Sequence, residues 1–158
     1  VISNDFKVEV MTNRGKRDLL FKGKESLKLM VKMNRPGYFY IVGHVLKTKE
    51  KYSYLLELSE AGGNRKFVYY VGPDMVNKWV VIGEFEVSPP FGVESLQIIA
   101  CNKDLVDKVP RTRYDANLEY YFVSKNPIAG VMKTRGLKPK RRKKVVSAEA
   151  VLMFTTMR

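Results

Sequence analysis

Cys101 and His44 are the only residues in this chain that could form a thiolate–imidazole dyad, because the sequence holds one cysteine and one histidine. A nucleophilic thiol needs a nearby base or cation to make its thiolate. His44 stands in the apolar run Tyr38-Phe39-Tyr40-Ile41-Val42-Gly43-His44-Val45, and Cys101 closes another such run. Both therefore read as packing residues, as free cysteines commonly are. The same counts exclude an internal disulfide framework, a multi-cysteine zinc or iron–sulfur site, and any site that needs two imidazoles.

Paired carboxylates are the second chemistry to weigh. Glu84 and Glu86 share one strand face, and Glu57 and Glu60 stand near a strand end. Glycosidase pairs need two carboxyl groups ~5–10 Å apart across a cleft, but glutamates on one strand satisfy that distance trivially. A solvated strand face accounts for both pairs. Metal chemistry has no HExxH, no CxxC and no calcium loop to stand on. Asp104 and Asp107 flank Leu105-Val106, and two carboxylates do not define a site. Gly62-Gly63-Asn64-Arg65-Lys66 lacks the spacing of a phosphate loop, and a turn explains its glycines. No catalytic constellation, cofactor or metal is expected, and the chain reads as a non-enzyme.

Charge is the sharpest single feature. Lys and Arg number 29 against 16 Asp and Glu, a net +13. Nine of those basic residues fall between Lys125 and Lys144, a segment with no acidic residue. Within it, Lys138, Lys140, Arg141, Arg142, Lys143 and Lys144 put six cations in seven positions. Such a run can neutralise phosphates and release counterions. It also resembles a nuclear localisation signal. No aromatic interleaves it, so the stacking platform of single-strand binders is lacking. A solvated loop is the leading reading of 138–144. An anionic polymer, membrane or partner surface comes second, and specific nucleic-acid recognition third.

The elements that must carry these residues are mostly strands. Apolar and charged residues alternate in Phe6-Lys7-Val8-Glu9-Val10, and again through Leu27, Leu29, Val31 and Met33. Asn34-Arg35-Pro36-Gly37 supplies a turn, so Leu27–Leu46 reads as a β-hairpin. Tyr52–Leu58 and Lys66–Val71 form two more strands around the Ala61–Asn64 turn, and Phe85 and Val87 alternate with Glu84 and Glu86. Ser88-Pro89-Pro90-Phe91-Gly92 is a rigid connection into a strand lined by Leu96, Ile98 and Ala100. Tyr114–Val123 reads as a strand or a short helix. Asn126 caps and Pro127 starts a short helix, Pro127–Arg135, which Gly136 ends. Val146, Ala148, Ala150, Leu152 and Phe154 line a last strand whose end near Arg158 reads as a complete domain edge.

Seven to nine short strands at roughly ten-residue intervals predict a mainly β chain. The expectation is one β-sandwich domain over 1–158, immunoglobulin-like or related, with one short C-terminal helix and the basic loop 138–144 within it. The nine tyrosines and eight phenylalanines fall mostly inside strand patterns, where core and cross-strand packing accounts for them. No stretch approaches the ~20 apolar residues of a membrane-spanning helix. A chain that opens at Val1 reads as a processed or trimmed protein, and a removed signal peptide stays open.

Three segments in order carry a family resemblance: Phe21-Lys22-Gly23-Lys24-Glu25-Ser26-Leu27-Lys28-Leu29, Asn34-Arg35-Pro36-Gly37-Tyr38-Phe39-Tyr40-Ile41, and Val87-Ser88-Pro89-Pro90-Phe91-Gly92-Val93-Glu94-Ser95-Leu96. Together they resemble the bacterial domain-of-unknown-function family numbered 4384, over about Phe6 to Cys101. The resemblance implies a β-sandwich accessory domain of the kind appended to bacterial lipoproteins, caspase-like peptidases or protein kinases, with no catalytic residues. Gly37, Tyr38, Pro90, Phe91 and Gly92 match its pattern as structural positions. Tyr54-Leu55-Leu56-Glu57-Leu58 departs from it, where the family commonly has Leu-Phe-Pro-Asn.

The functional expectation is a non-catalytic module of a bacterial cell-envelope or periplasmic protein, acting through protein or cell-wall contacts. A cytoplasmic location stays open. The alternative is a polyanion binder, for nucleic acid or an acidic surface, acting through Lys138–Lys144.

Overall fold

A computed structural model of the chain describes residues 5–46, 51–58, 66–89, 91–104, 109–117, 119–123 and 147–158. Among the described residues eleven strands are present: β1 (Val8–Thr12), β2 (Leu20–Lys22), β3 (Ser26–Met33), β4 (Gly37–Leu46), β5 (Lys51–Leu55), β6 (Tyr69–Val71), β7 (Val80–Glu86), β8 (Gly92–Cys101), β9 (Thr112–Asp115), β10 (Tyr120–Val123) and β11 (Ser147–Met157). Three of them form one sheet in the order β1-β3-β7. The other eight form a second sheet, β2-β11-β8-β4-β5-β10-β9, with β6 also on β4.

Alternation decides what each sheet buries. Val8, Val10, Leu27, Leu29, Val31 and Met33 turn inward from the small sheet, while Phe39, Ile41, Val45, Leu96, Ile98 and Ala100 meet them from the large one. Burying each large apolar side chain contributes roughly 1.5–3 kcal/mol, so this shared face holds the two sheets together. The large sheet is also apolar on part of its outer face, where Tyr40, Val42, Leu55 and Cys101 form a second small cluster. That two-sided burial is why the sequence of β4 is apolar at nearly every position.

Leu27–Leu46 is not a hairpin. β3 pairs with β1 and β7, whereas β4 pairs with β5, β6 and β8, so the chain crosses between sheets at Asn34-Arg35-Pro36. The crossing is held by Asn34, whose Oδ1 accepts the Lys7 N–H at 2.7 Å, and by an Arg35–Asp5 ion pair. Gly37 is required there, because a Cβ would lie 2.7 Å from the Cys101 carbonyl oxygen. Lys66–Val71 is likewise no hairpin partner of β5. β5 and β6 lie one after the other along the same edge of β4, pairing with Val42–Leu46 and with Gly37–Phe39. The Leu58 N–H donates to the Lys66 carbonyl at 2.8 Å and closes the excursion between them.

A β-bulge faces the Leu29/Met30 step, where β7 has one residue more than β3. It reverses the parity of β7, so that Val80 and Ile82 point inward before it and Phe85 does so after it. The expected helix over Pro127–Arg135 lies outside the described residues. Among the described residues there is no α-helix, and the one helical turn is a three-residue 3-10 turn at Pro73–Met75. Tyr114–Val123, open between strand and helix in sequence, is the β9–β10 hairpin.

Candidate functional site

β8 begins at Gly92, and its even-numbered residues face the core. The first of them is Glu94, which pairs in register with Val45 on β4 and with Phe154 on β11. A carboxyl group thus occupies an inward position at the end of the sandwich, and Glu94 is only 5% exposed. A buried carboxylate costs several kcal/mol unless it is paired or neutralised.

Its partner is Tyr54, whose hydroxyl donates to Glu94 Oε2 at 3.2 Å. The reach is set by Gly43, which stands between the two strands. Tyr54 pairs with Gly43, and its ring lies over that residue so closely that a Cβ there would fall 2.2 Å from Tyr54 Cζ. Glycine at 43 is what allows the phenol to cross β4 and meet β8. Among the described residues Tyr54 is the one hydrogen-bond partner of the Glu94 carboxyl. Among the described residues no side-chain oxygen or nitrogen sealed from solvent lacks a partner, so the second carboxyl oxygen opens into space.

That space is a cavity of about 240 Å³ at the mouth of the sandwich, many times the ~10–15 Å³ that one water requires. Leu27, Phe85, Leu96 and Phe154 supply apolar wall from four strands. Glu86, at the end of β7, and Glu119, before β10, also line it, with no lysine, arginine or histidine among the described residues that line it. Glu119 adopts a left-handed conformation, φ 58°, in the β9–β10 turn, where its N–H donates to the Asp115 carbonyl at 2.8 Å. Thr156 closes one side; its Oγ1 accepts the Gly92 N–H at 3.1 Å and holds the start of β8 against the end of β11. Desolvation pushes the Glu94 carboxyl up to about 7, and the Tyr54 hydrogen bond pulls the other way. A titratable group displaced toward neutrality in a partly apolar cavity is the pattern that marks binding and catalytic sites.

The residues singled out from sequence lie elsewhere. Cys101 pairs with Tyr38, and His44 pairs with Ser95. Six residues of strand, roughly 20 Å, separate them, so they form no dyad. Cys101 is buried among Tyr40, Val42 and Leu55. His44 has its Nδ1 2.7 Å from Ser53 Oγ and its Nε2 3.0 Å from Gln97 Oε1, and the Gln97 amide donates to Glu149 at 2.5 Å. With the Gln97 carbonyl accepting, the proton sits on Nε2 and Nδ1 accepts from Ser53. This row runs across β5, β4, β8 and β11 on the outer face. His44 and Ser53 are directly opposed in register, so ordinary cross-strand pairing explains their contact.

Glu84 and Glu86 are exposed on β7, Glu86 at the cavity rim, and Glu57 forms an ion pair with Lys66 at 3.6 Å. Gly92 has φ 150°, a conformation that favours glycine, and Phe91 packs on Gly23, where a Cβ would lie 3.1 Å from its ring. The Tyr38 ring sits 4.8 Å from that of Tyr70. Pro90, Glu60, Asp107 and the Gly62–Asn64 turn lie outside the described residues, as do Lys138, Lys140, Arg141, Arg142, Lys143 and Lys144. Among the described residues no group of three histidine, cysteine or acidic side chains could hold a metal ion. No helix there is long and apolar enough to cross a membrane.

Glu94, Tyr54 and Gly43 were not singled out from sequence. One signal was available: Glu94 stands two residues before Leu96 on the same parity as Leu96, Ile98 and Ala100, a carboxylate on a core-facing stripe. No known protein family, curated protein or solved structure matches this chain.

Proposed function

We propose that this chain is a non-catalytic binding module and that the cavity around Glu94 is its ligand site. The observation that carries this reading is the buried residue Glu94, whose carboxyl opens into a cavity walled in part by apolar side chains and receives one hydrogen bond among the described residues. A side chain of this kind destabilises an unliganded fold, and a ligand that completes its hydrogen bonding offsets the cost. The separation of Cys101 from His44 supports a role without a nucleophile. The resemblance of Asn34–Ile41 and Val87–Leu96 to accessory domains supports an immunoglobulin-like or related module of a bacterial envelope protein, whose partner or cell-wall component presents the bound group.

Titrating small organic molecules into the isotope-labelled protein tests this. Selective shifts at Tyr54, Leu96 and Phe154, together with a raised Tm, are expected. A panel that moves none of these residues, or robust turnover of an ester or peptide substrate that survives Cys101→Ala, overturns it. The concentration of positive charge between Lys125 and Lys144 supports a second reading, a polyanion surface. Absence of duplex DNA binding at 50 mM salt removes its nucleic-acid form.

A further inference from the structure

We propose that the cavity binds a protonated amine carried on a small apolar body, with Glu94 as its counter-ion; this rests on reading the cavity as the ligand site. Three features select the charge. Glu94 offers an oxygen to which no group among the described residues donates, an acceptor for an N–H donor. Glu86 and Glu119 add negative charge at the rim, and among the described residues no basic side chain lines the cavity, although the chain as a whole carries +13. Anionic ligands therefore meet three carboxyl groups of like sign.

Two features select an organic cation over a bare metal ion. The carboxyl groups do not converge closely enough for a metal among the described residues. The walls are apolar and aromatic, with Tyr54, Phe85 and Phe154 offering ring faces or edges to the ammonium and its carbon body. Size follows from the cavity volume of about 240 Å³, which suits one ring or a short alkyl chain.

Binding is then linked to protons. Among the described residues, the titratable groups that line the cavity with Glu94 are Tyr54 on β5, Glu86 at the end of β7 and Glu119 before β10. β4, β11 and β3 present Val45, Phe154, Thr156 and Leu27, none of which titrates. With the free carboxyl near 7, about a tenth of the sites are ionised at pH 6 and about nine-tenths at pH 8. The amine pairs with the ionised form, so its affinity rises with pH and its binding expels a proton from the protonated fraction.

The test compares benzylamine, protonated throughout this range, with benzyl alcohol, its neutral counterpart, by nuclear magnetic resonance on the full chain at pH 6 and pH 8. Benzylamine is expected to move Tyr54, Leu96 and Phe154 resonances and to bind about tenfold more tightly at pH 8. Glu94→Gln is expected to abolish that pH dependence and most of the benzylamine affinity while changing benzyl alcohol binding far less. Leu56→Trp, which puts a larger side chain on the cavity wall, is expected to weaken both. Equal, pH-independent binding of the two probes at these residues overturns the charge assignment and leaves the ligand site standing. Cavity residues that respond to neither probe overturn both, and benzylamine binding that survives Leu56→Trp places the amine elsewhere and overturns the proposal.

Discussion

Tyr54 and Glu94 meet across a strand that neither belongs to. The phenol on β5 passes over Gly43 on β4 and donates to the carboxyl on β8 at 3.2 Å. The contact joins three strands at the open end of the sandwich and leaves one carboxyl oxygen for the cavity. Sequence separation of 40 residues places this arrangement beyond any local pattern. The account of function rests on it.

Folding stability depends on pH through Glu94. Its folded value of about 7 lies above the ordinary 4.5, so between those values the native chain holds a proton that the unfolded chain has lost. Stability therefore falls as pH rises through that window, with an upper limit on the order of 3 kcal/mol. Urea unfolding at pH 5 and pH 8 reads the difference. Glu94→Gln flattens this part of the profile and stabilises the protein at pH 8.

Gly43→Ala forces the Tyr54 ring off β4, because its Cβ would lie 2.2 Å from Cζ. Overpacking of this kind costs roughly 1–3 kcal/mol. The cost is expected to shrink when Tyr54 is already Leu, and a double-mutant cycle by chemical unfolding measures that coupling. Additive effects would show that the ring does not depend on the missing side chain.

Gly37→Ala meets backbone instead of side chain. Its Cβ would lie 2.7 Å from the Cys101 carbonyl oxygen, at the crossing between sheets, where neither strand can yield without losing ladder hydrogen bonds. A loss of at least about 2 kcal/mol is expected by thermal or urea unfolding.

Cys101 is expected to react with alkylating reagents at pH 7 far more slowly than a free thiol, because it is buried with Tyr40, Val42 and Leu55. Mass spectrometry over time measures this. Rapid modification of the folded protein would point to an exposed, activated thiol.

Much of the fold was legible because period-two alternation is a local consequence of pleating. Leu27–Met33, Leu96–Ala100 and Ala148–Phe154 each state their buried face. Alternation does not say which sheet a strand joins, however, and the Asn34–Gly37 turn reads the same whether it closes a hairpin or crosses a sandwich. Tyr52–Leu58 and Lys66–Val71 misled for the same reason: two segments on one edge of β4 have the same pattern as two paired strands. The parity reversal at the β7 bulge was visible as a change of stripe between Ile82 and Phe85. Of the candidate site, Glu94 was legible as a carboxylate out of place, whereas Tyr54 and Gly43 acquire meaning only once β4 lies between β5 and β8.

The central claim is that Glu94 is a desolvated carboxyl facing the cavity, and a carbon-13 titration of its side-chain carboxyl tests it most directly. The account predicts a midpoint of about 7 in the free protein and a lower one when benzylamine is present. A midpoint near the ordinary 4.5, unchanged by the amine, would contradict it.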